Sequence, residues 1–580
     1  MRLPLWLIFG SLCTGCPSAE VLSKPLDASI AEESTDEGEP DPVPVEDSGE
    51  SGEDTAPEDP DVPDSGEPPD SVDTGSTDTG EDGGTDTGES APEYDVSTLR
   101  GAAESSGRIV GVALNTGAMF SDAEYLDILV SEFGGFTPEN ATKWGPLQPA
   151  EGAWDFGTVD EMAALASRED LRMKGHTLVW HNQKPSWLDS ETDATTLNGL
   201  MDDHFRETLG HLTTDVPDWD VVNEAFEWDG SMRASMFRTI LGPDYIADAF
   251  RQANLYAPEA RLFYNDFSIE GINAKSNAVA GMVEAFKRDD VPIDGVGLQM
   301  HLSHGYGPSR ADLKANMERL GDLGVVVHIS EMDVQIRHLL GSDDERLLAQ
   351  AMTYYEVTSA CVETMACEQI SFWGFTDRYS WVDTFFGEDD PLLYDEDLVA
   401  KPARNAVRAA LLGEPMEGCE DSRVDNGGFE DGTETWEAMG ASLSIVDEPV
   451  HGGEHAAYVT DRTEAWQGPR QSVIDKIATG MKYEGRAWVR LAEGAPAEAK
   501  LTLHWNDDLG DRWWQFATVE ATSDGWVELA GTIDLSVLSV VGTLTEARVY
   551  VEGPGAGRSM YVDDISVHPV CPTPPTVVVR

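Results

Sequence analysis

Between residues 97 and 413 the chain alternates two textures. Short apolar runs recur: RIVGVALN (108–115), EFGGFTPEN (132–140), LRMKGHTLVWH (171–181), WDVVNEAF (219–226), ARLFYNDF (260–267), GVGLQMHL (295–302), VVVHISEMDV (325–334) and QISFWGFTD (369–377). Each has the length and near-continuous apolar character of a strand covered on both faces. Between them lie stretches such as EYLDILVSEF and DYIADAFRQANLYA, whose apolar residues fall three and four apart and predict helices. Eight such units in alternation predict an α/β fold, a (β/α)8 TIM barrel over 97–413. Its last helix would be PARNAVRAALLG, stopped by Gly413. From 419 to 571 the period changes to two. HAAYVTD, YEGRAWVRLA, AKLTLHW, GWVELAGTIDL, EARVYVEG and MYVDDISV alternate polar and apolar positions between Gly, Asn and Asp turns. This predicts a β-sandwich (jelly-roll) module, followed by a tail over 572–580.

Charge sets the N-terminal part apart. The 580-residue chain carries a formal net charge of −70, and residues 27–95 hold 26 Asp or Glu with no Lys or Arg. Such a segment cannot bury enough apolar surface to offset its ordering entropy. Residues 17–96 therefore read as an acidic Asp/Glu/Ser/Gly/Thr/Pro linker, spanning roughly 45 Å as a coil over its low-complexity part. Its DTG units lack the Gly and Glu positions of an EF-hand loop. The remainder is acidic too, which argues against nucleic acid or an anionic membrane surface as partner. The opening residues MRLPLWLIFGSLCTGC form a charged start and an apolar run too short to span a bilayer, as in a signal peptide over 1–16. Thr14 and Gly15 before Cys16 resemble a bacterial lipoprotein cleavage site, although Cys13 stands where Leu is usual. Acylation of Cys16 would make the chain a cell-surface lipoprotein whose membrane contact is that anchor; ordinary cleaved secretion is the alternative. In an exported chain the other four cysteines read as disulfides Cys361–Cys367 and Cys419–Cys571, with free buried thiols as the alternative. No Cys/His spacing suggests zinc.

In the barrel runs the polar residues come late: Glu139 and Asn140, His176, Trp180 and His181, Asn223 and Glu224, Asn265 and Asp266, Gln299 and His301, Glu331 and Asp333. The C-terminal rim of a barrel is where its active site lies. The rim lacks a phosphate-binding Gly loop, a metal cluster and a Ser/His/Asp order. Aromatic faces stack on sugars, amides bond hydroxyls, and two carboxylates are the minimum equipment for glycoside hydrolysis. Glu224 and Glu331 interrupt apolar runs where their surroundings must set their proton affinities apart.

ENATKW (139–144), GHTLVWH (175–181), WDVVNEAF (219–226), GLQMH (297–301), ISEMDV (329–334) and WGFTDRYSW (373–381) resemble, in order, the motifs of glycoside hydrolase family 10, the retaining endo-1,4-β-xylanases. One departure is Thr142, where the family commonly has Met. The resemblance implies that Glu224 is the acid/base and Glu331 the nucleophile, their carboxyls about 5–5.5 Å apart. It implies that Asn223 bonds the sugar 2-hydroxyl and that His301 bonds Glu331 while Asp333 holds its other nitrogen. Glu139, Asn140, Lys143, His176, Trp180 and Gln299 would bind sugars on the glycone side, with Trp373 and Trp381 as walls. Trp373 would exclude the hydroxymethyl group of a glucan, a discrimination of about 1–3 kcal/mol. His181 reads as a packing neighbour of the site, and Asn265 and Asp266 as groups satisfying loop backbone. No cofactor is implied for catalysis.

Residues 424–567, with VDNGGFEDGTETW, YVTDRTEAWQGPRQ and YVEGP, resemble a carbohydrate-binding module of family 22 or of families 4 and 9. Arg462, Trp466, Trp513 and Glu552 match ligand-facing positions, and Glu430 and Asp564 match positions near a structural calcium ion. The implied whole is an exported monomeric xylanase acting on xylan and xylo-oligosaccharides. The rivals are a cellulase or mixed-linkage glucanase, and a non-catalytic polysaccharide-binding surface protein.

Overall fold

The computed structural model describes residues 94–212, 214–536 and 543–580. The signal peptide, Cys16 and nearly all of the acidic linker lie outside the described residues. Nine strands build the barrel: β1 (Ile109–Leu114), β2 (Gly135–Pro138), β3 (Arg172–Trp180), β4 (Asp218–Asn223), β5 (Arg261–Asp266), β6 (Gly295–Leu298), β7 (His301–Ser303), β8 (Val326–Gln335) and β9 (Cys367–Phe372). All pair in parallel, β1 with β2 and β9, and β6 with β8, so the sheet closes. The sixth apolar run gives two strands because Met300, at φ 64°, breaks it. β7 then continues alongside β8, with His301 opposite Asp333.

Neighbouring strands mesh by pairing a glycine with an aromatic ring. Gly175 on β3 lies in register with Trp219 on β4, and a Cβ there would come within 2.3 Å of the indole. Gly295 on β6 opposes Phe263 on β5, where a Cβ would come within 2.0 Å. At the opposite end from the polar rim, buried Asp218 accepts from Arg172 (2.7 and 2.8 Å) and Arg261 (2.7 and 3.1 Å). Burial pushes its carboxyl up, but the two guanidiniums outweigh this and hold it well below the ordinary carboxylate range. The last barrel helix, Pro402–Leu412, ends on Gly413 in the left-handed region.

The module has two antiparallel sheets. β10 (Ser442–Val446), β11 (Ala456–Thr460), β18 (Met560–Pro569), β13 (Lys482–Leu491) and β16 (Val527–Asp534) form one. β12 (Arg470–Ser472), β17 (Glu546–Glu552), β14 (Ala497–Asp507) and β15 (Gly510–Ala521) form the other. Alternate residues such as Tyr483, Ala487 and Val489 of β13 and Leu501, Leu503 and Trp505 of β14 fill the space between the sheets. Cys361 pairs with Cys367, and Cys419 with Cys571, so the second disulfide ties the segment leaving the barrel to the end of the module.

Candidate active site

Glu224 is the first residue past β4 and sits at φ 57°, a costly conformation for a residue with a Cβ. Its neighbours hold it there. Glu224 N donates to Asn265 O (2.9 Å), and its own carbonyl accepts from Arg233 Nε (2.8 Å). The next amide, Ala225 N, donates to the Tyr264 hydroxyl (2.9 Å). That hydroxyl donates to Asp266 (2.6 Å), which Lys275 also grips (2.7 Å). Tyr264, Asp266 and Lys275 are all buried. Asp266 thus serves a phenol and an ammonium rather than loop backbone alone. Burial drives it up to about 7, against Lys275 and with the charge of Glu224.

Glu331 lies within β8, two residues before Asp333, so both side chains emerge on the same side of the strand. His301 Nε2 stands 3.1 Å from Glu331 Oε2, and its Nδ1 stands 2.7 Å from Asp333 Oδ2. Burial opposes a charge on this ring, yet Asp333 and then Glu331 push it up to about 10, which favours its charged form. Burial likewise opposes ionisation of Glu331. The bond from His301, the charges of His176 and His301, and a bond from Asn265 outweigh it, and the carboxyl stays below its ordinary value. Trp381 Nε1 donates to the same oxygen of Asp333 (2.8 Å). The Trp381 and Trp373 rings flank His301 at 5.0 and 6.3 Å.

Three amides join the two glutamates. Asn223 Nδ2 (3.3 Å) and Gln299 Nε2 (3.2 Å) donate to Glu224 Oε1. Asn265 Nδ2 donates both to Asn223 Oδ1 (2.9 Å) and to Glu331 Oε1 (2.6 Å). Residues on or just past β4, β5, β6 and β8 therefore meet in one hydrogen-bonded layer over the barrel mouth. Asn265, read from sequence as loop satisfaction, is the link between the carboxyls.

The glycone-side candidates also converge. Lys143 Nζ donates to Asn140 (3.0 Å) and Gln183 (2.6 Å) and lies over the Trp180 ring at 4.9 Å and the Trp373 ring at 6.0 Å. Burial pulls this ammonium down to about 8, against the attraction of Glu331, Glu139 and Glu224. Glu139 accepts from Asn115 (2.9 Å) and lines a hollow with Trp373 and Trp381. His176 stands 3.0 Å from Asp220 and edge-on to Trp373. Thr142 has a role of its own: its hydroxyl donates to His176 O (2.7 Å) and accepts from His176 N (3.0 Å). His181 lines a hollow with Glu224 and Trp180, and burial pulls its ring down to about 4. Gln183 and Asn115 are absent from the sequence-derived candidates: Gln183 lies in a loop with no apolar run to mark it, and Asn115 ends the first run, where it also caps the helix Thr116–Ser121.

A family model described as Glycosyl hydrolase family 10 matches residues 98–410. The chain belongs to that family. A Carbohydrate binding domain model matches residues 422–558. The chain is 39% identical over 293 residues to endo-1,4-beta-xylanase B of Thermotoga neapolitana, covering 50% of this chain and 84% of that protein. It is 38% identical over 296 residues to endo-1,4-beta-xylanase 5 of Pyricularia oryzae, covering 50% and 73%. Among solved structures, xylanase 10B of Thermotoga petrophila in complex with xylobiose aligns with TM-score 0.53 and 38% identity, over 54% of this chain and 97% of that one. The native xylanase 10B of Thermotoga maritima aligns with TM-score 0.52 and 40% identity, over 54% and 98%. Family 10 enzymes are retaining glycoside hydrolases that use no cofactor in catalysis.

In the carbohydrate-binding module the ligand-facing candidates separate. Trp513 is 57% exposed and stacks on His504 (5.1 Å) of the adjacent strand. Glu552 and Tyr550 alternate along β17 on the outer face of the same sheet, and Glu552 accepts from Thr502 (2.7 Å). Trp466, 46% exposed, sits in the loop before β12. Arg462 does not join them. Its buried guanidinium donates to the carbonyls of Gln467 (2.7 Å), Ala465 (2.8 Å) and Arg558 (2.9 Å), so it holds the Trp466 loop instead of facing a ligand. Glu430 and Asp564 reach one loop: Glu430 accepts from the amides of Glu454 (2.9 Å) and His455 (3.2 Å), and Asp564 lies 2.6 Å from His451 Nδ1. Among the described residues no three His, Cys, Asp or Glu side chains are grouped to hold a metal ion.

Proposed function

We propose that this chain is an endo-1,4-β-xylanase that cleaves internal xylan bonds by double displacement. The observation that carries this reading is the amide-bridged pair Glu224 and Glu331, with the His301 ring on the second. Asn223 and Gln299 fix Glu224 by two N–H donors on its Oε1. Glu331, kept ionised, attacks the anomeric carbon while Glu224 protonates the departing oxygen. Glu224 then takes a proton from the water that releases the glycosyl-enzyme. Asn223 reaches the sugar 2-hydroxyl from the same layer. Lys143, Asn140, Glu139, His176, Trp180 and Gln299 bind the glycone side, and Trp373 stands where a hydroxymethyl group would enter.

The test compares the wild type with Glu331→Ala on xylan, carboxymethylcellulose and mixed-linkage glucan. Reducing ends from xylan by the wild type alone support the reading. Preference for a glucan, or binding to xylan without release of sugar, overturns it. Proton NMR of early product shows β-configured reducing ends first, and an α-first signal contradicts double displacement.

Further parts of this reading concern the rest of the chain. The module binds xylan through Trp466, Trp513, Tyr550 and Glu552. A structural calcium ion sits by Glu430 and Asp564; hard oxygen donors suit it, and Gly452 and Gly453 leave room where a Cβ would meet Asp564 Oδ2 at 2.6 Å and Glu430 Oε1 at 1.8 Å. Chelation then lowers the melting temperature, and an unchanged melt removes the ion. The chain is exported, acylated at Cys16 and monomeric. Globomycin-sensitive membrane partition lost in Cys16→Ala supports the anchor, a soluble wild type contradicts it, and light scattering measures the oligomeric state.

A further inference from the structure

We infer that the carbohydrate-binding module positions the nucleophile, through the contact between His304 and Gly480, and is thereby part of the catalytic machinery's support. This rests on the assignment of Glu331 above.

The module lies in one compact unit with the barrel, and the two share an apolar cluster in which Ile336, Leu339 and Met352 pack with Ile477, Ala478, Met481 and Leu535. Ile336 and Leu339 follow β8, which carries Glu331 and Asp333 and pairs with β7, the strand of His301. The register of these strands runs His301 opposite Asp333, Leu302 opposite Val334 and Ser303 opposite Gln335. His304 N continues the ladder to Gln335 O (3.0 Å). Three residues past His301 the chain thus reaches His304, which is buried.

His304 Nε2 donates to Gly480 O of the module (2.8 Å), and Nδ1 accepts from Thr353 Oγ1 (2.7 Å) on the helix Asp343–Val362. His338 Nε2 caps the His304 carbonyl (3.0 Å). On the β8 side, Leu340 N donates to Thr479 Oγ1 (2.8 Å) and Thr479 N returns a bond to Leu340 O (2.8 Å). Two glycines permit this approach. A Cβ on Gly480 would lie 2.6 Å from the His304 ring, and one on Gly341 would lie 2.4 Å from Ile477 O. Buried Glu345 meets Arg423 (2.7 Å) at the same seam. Both strands holding the His301–Asp333–Glu331 chain therefore end on the module within a few residues. A small displacement there moves the imidazolium against Glu331.

The test uses the full chain and a soluble aryl β-xylobioside, too short to need the module as a binding surface. His304→Gln keeps a donor at the Nε2 position, His304→Asn does not, and Thr479→Val removes the module hydroxyl without touching the barrel. The inference expects kcat/KM about tenfold lower in His304→Asn and about threefold or more lower in Thr479→Val, with the acidic limb of the pH profile moved upward and His304→Gln close to wild type. Imidazole 15N shifts of His301 give a readout independent of turnover, and should report a weakened bond to Glu331 in the first two variants. If His304→Asn does not fold, Thr479→Val decides. Wild-type kcat/KM, limb and 15N shifts in the damaged variants, with only a lower melting temperature, overturn the inference and leave the contact as docking alone. Loss of xylobioside cleavage in the wild type itself would instead overturn the functional reading.

Discussion

Replacing His301 with Gln isolates the charge on the ring. Gln places a neutral N–H near the Nε2 position, so a donor to Glu331 remains while the cation is lost. The magnitude follows from the ring's surroundings. Raising His301 from 6.5 to about 10 corresponds to roughly 5 kcal/mol of net attraction to its carboxylates, in an environment where neither partner is more than 6% exposed. Asp333 supplies the larger part and Glu331 the smaller. What Glu331 loses on substitution still exceeds a neutral hydrogen bond, and burial then pushes its carboxyl upward unopposed by that charge. The acidic limb of kcat/KM, which reports ionisation of the nucleophile in the free enzyme, should move up by about one pH unit, with kcat/KM at the optimum lower by about tenfold or more. The assay is a pH profile on an aryl β-xylobioside from pH 3.5 to 9, run with a thermal melt at each pH. An acidic limb that stays in place in a folded His301→Gln variant refutes the claim that the imidazolium keeps Glu331 charged.

Other consequences are checked by separate measurements. Because His301 is raised on folding, its stabilising contribution is complete below about 6.5 and lost as pH rises through about 10. The melting-temperature gap between wild type and His301→Gln should therefore close towards pH 10, and a constant gap contradicts this. Tyr264→Phe leaves Ala225 N without its acceptor and loosens Glu224. It should slow xylo-oligosaccharides about tenfold or more while sparing dinitrophenyl xylobioside, whose leaving group needs no proton. Equal losses on both substrates would assign Tyr264 to folding alone. Trp513→Ala should weaken retention on insoluble xylan about tenfold and leave soluble aryl xylobioside kinetics unchanged. Unchanged retention would move the module's binding surface elsewhere.

The barrel was legible because each buried strand reads as an apolar run, and its chemistry because polar residues end those runs. Glu224 and Glu331 stand out as carboxylates where an apolar side chain is expected. The sixth strand looked continuous; only the left-handed backbone at Met300 divides it, and nothing in GVGLQMHL marks that residue. Asn265 and Tyr264 were not recognisable as supports, since their partners lie 66 and 39 residues away. Arg462 had the charge of a ligand contact, but two backbone carbonyls of its own loop and that of Arg558 satisfy it, and a carbonyl leaves no trace in a sequence. The seam between barrel and module was illegible for the same reason. It rests on two glycines and on a histidine 176 residues from the carbonyl it meets.

The central claim is that Glu331 forms a covalent bond to sugar in a site completed by Glu224. Incubation with 2-deoxy-2-fluoro-β-xylobiosyl fluoride, followed by intact mass and peptide mapping, tests it directly. One added fluoro-xylobiosyl group on the peptide carrying Glu331, with loss of activity at the same rate, is the expected result. Inactivation with the label on any other side chain, or steady turnover without a label, would contradict it.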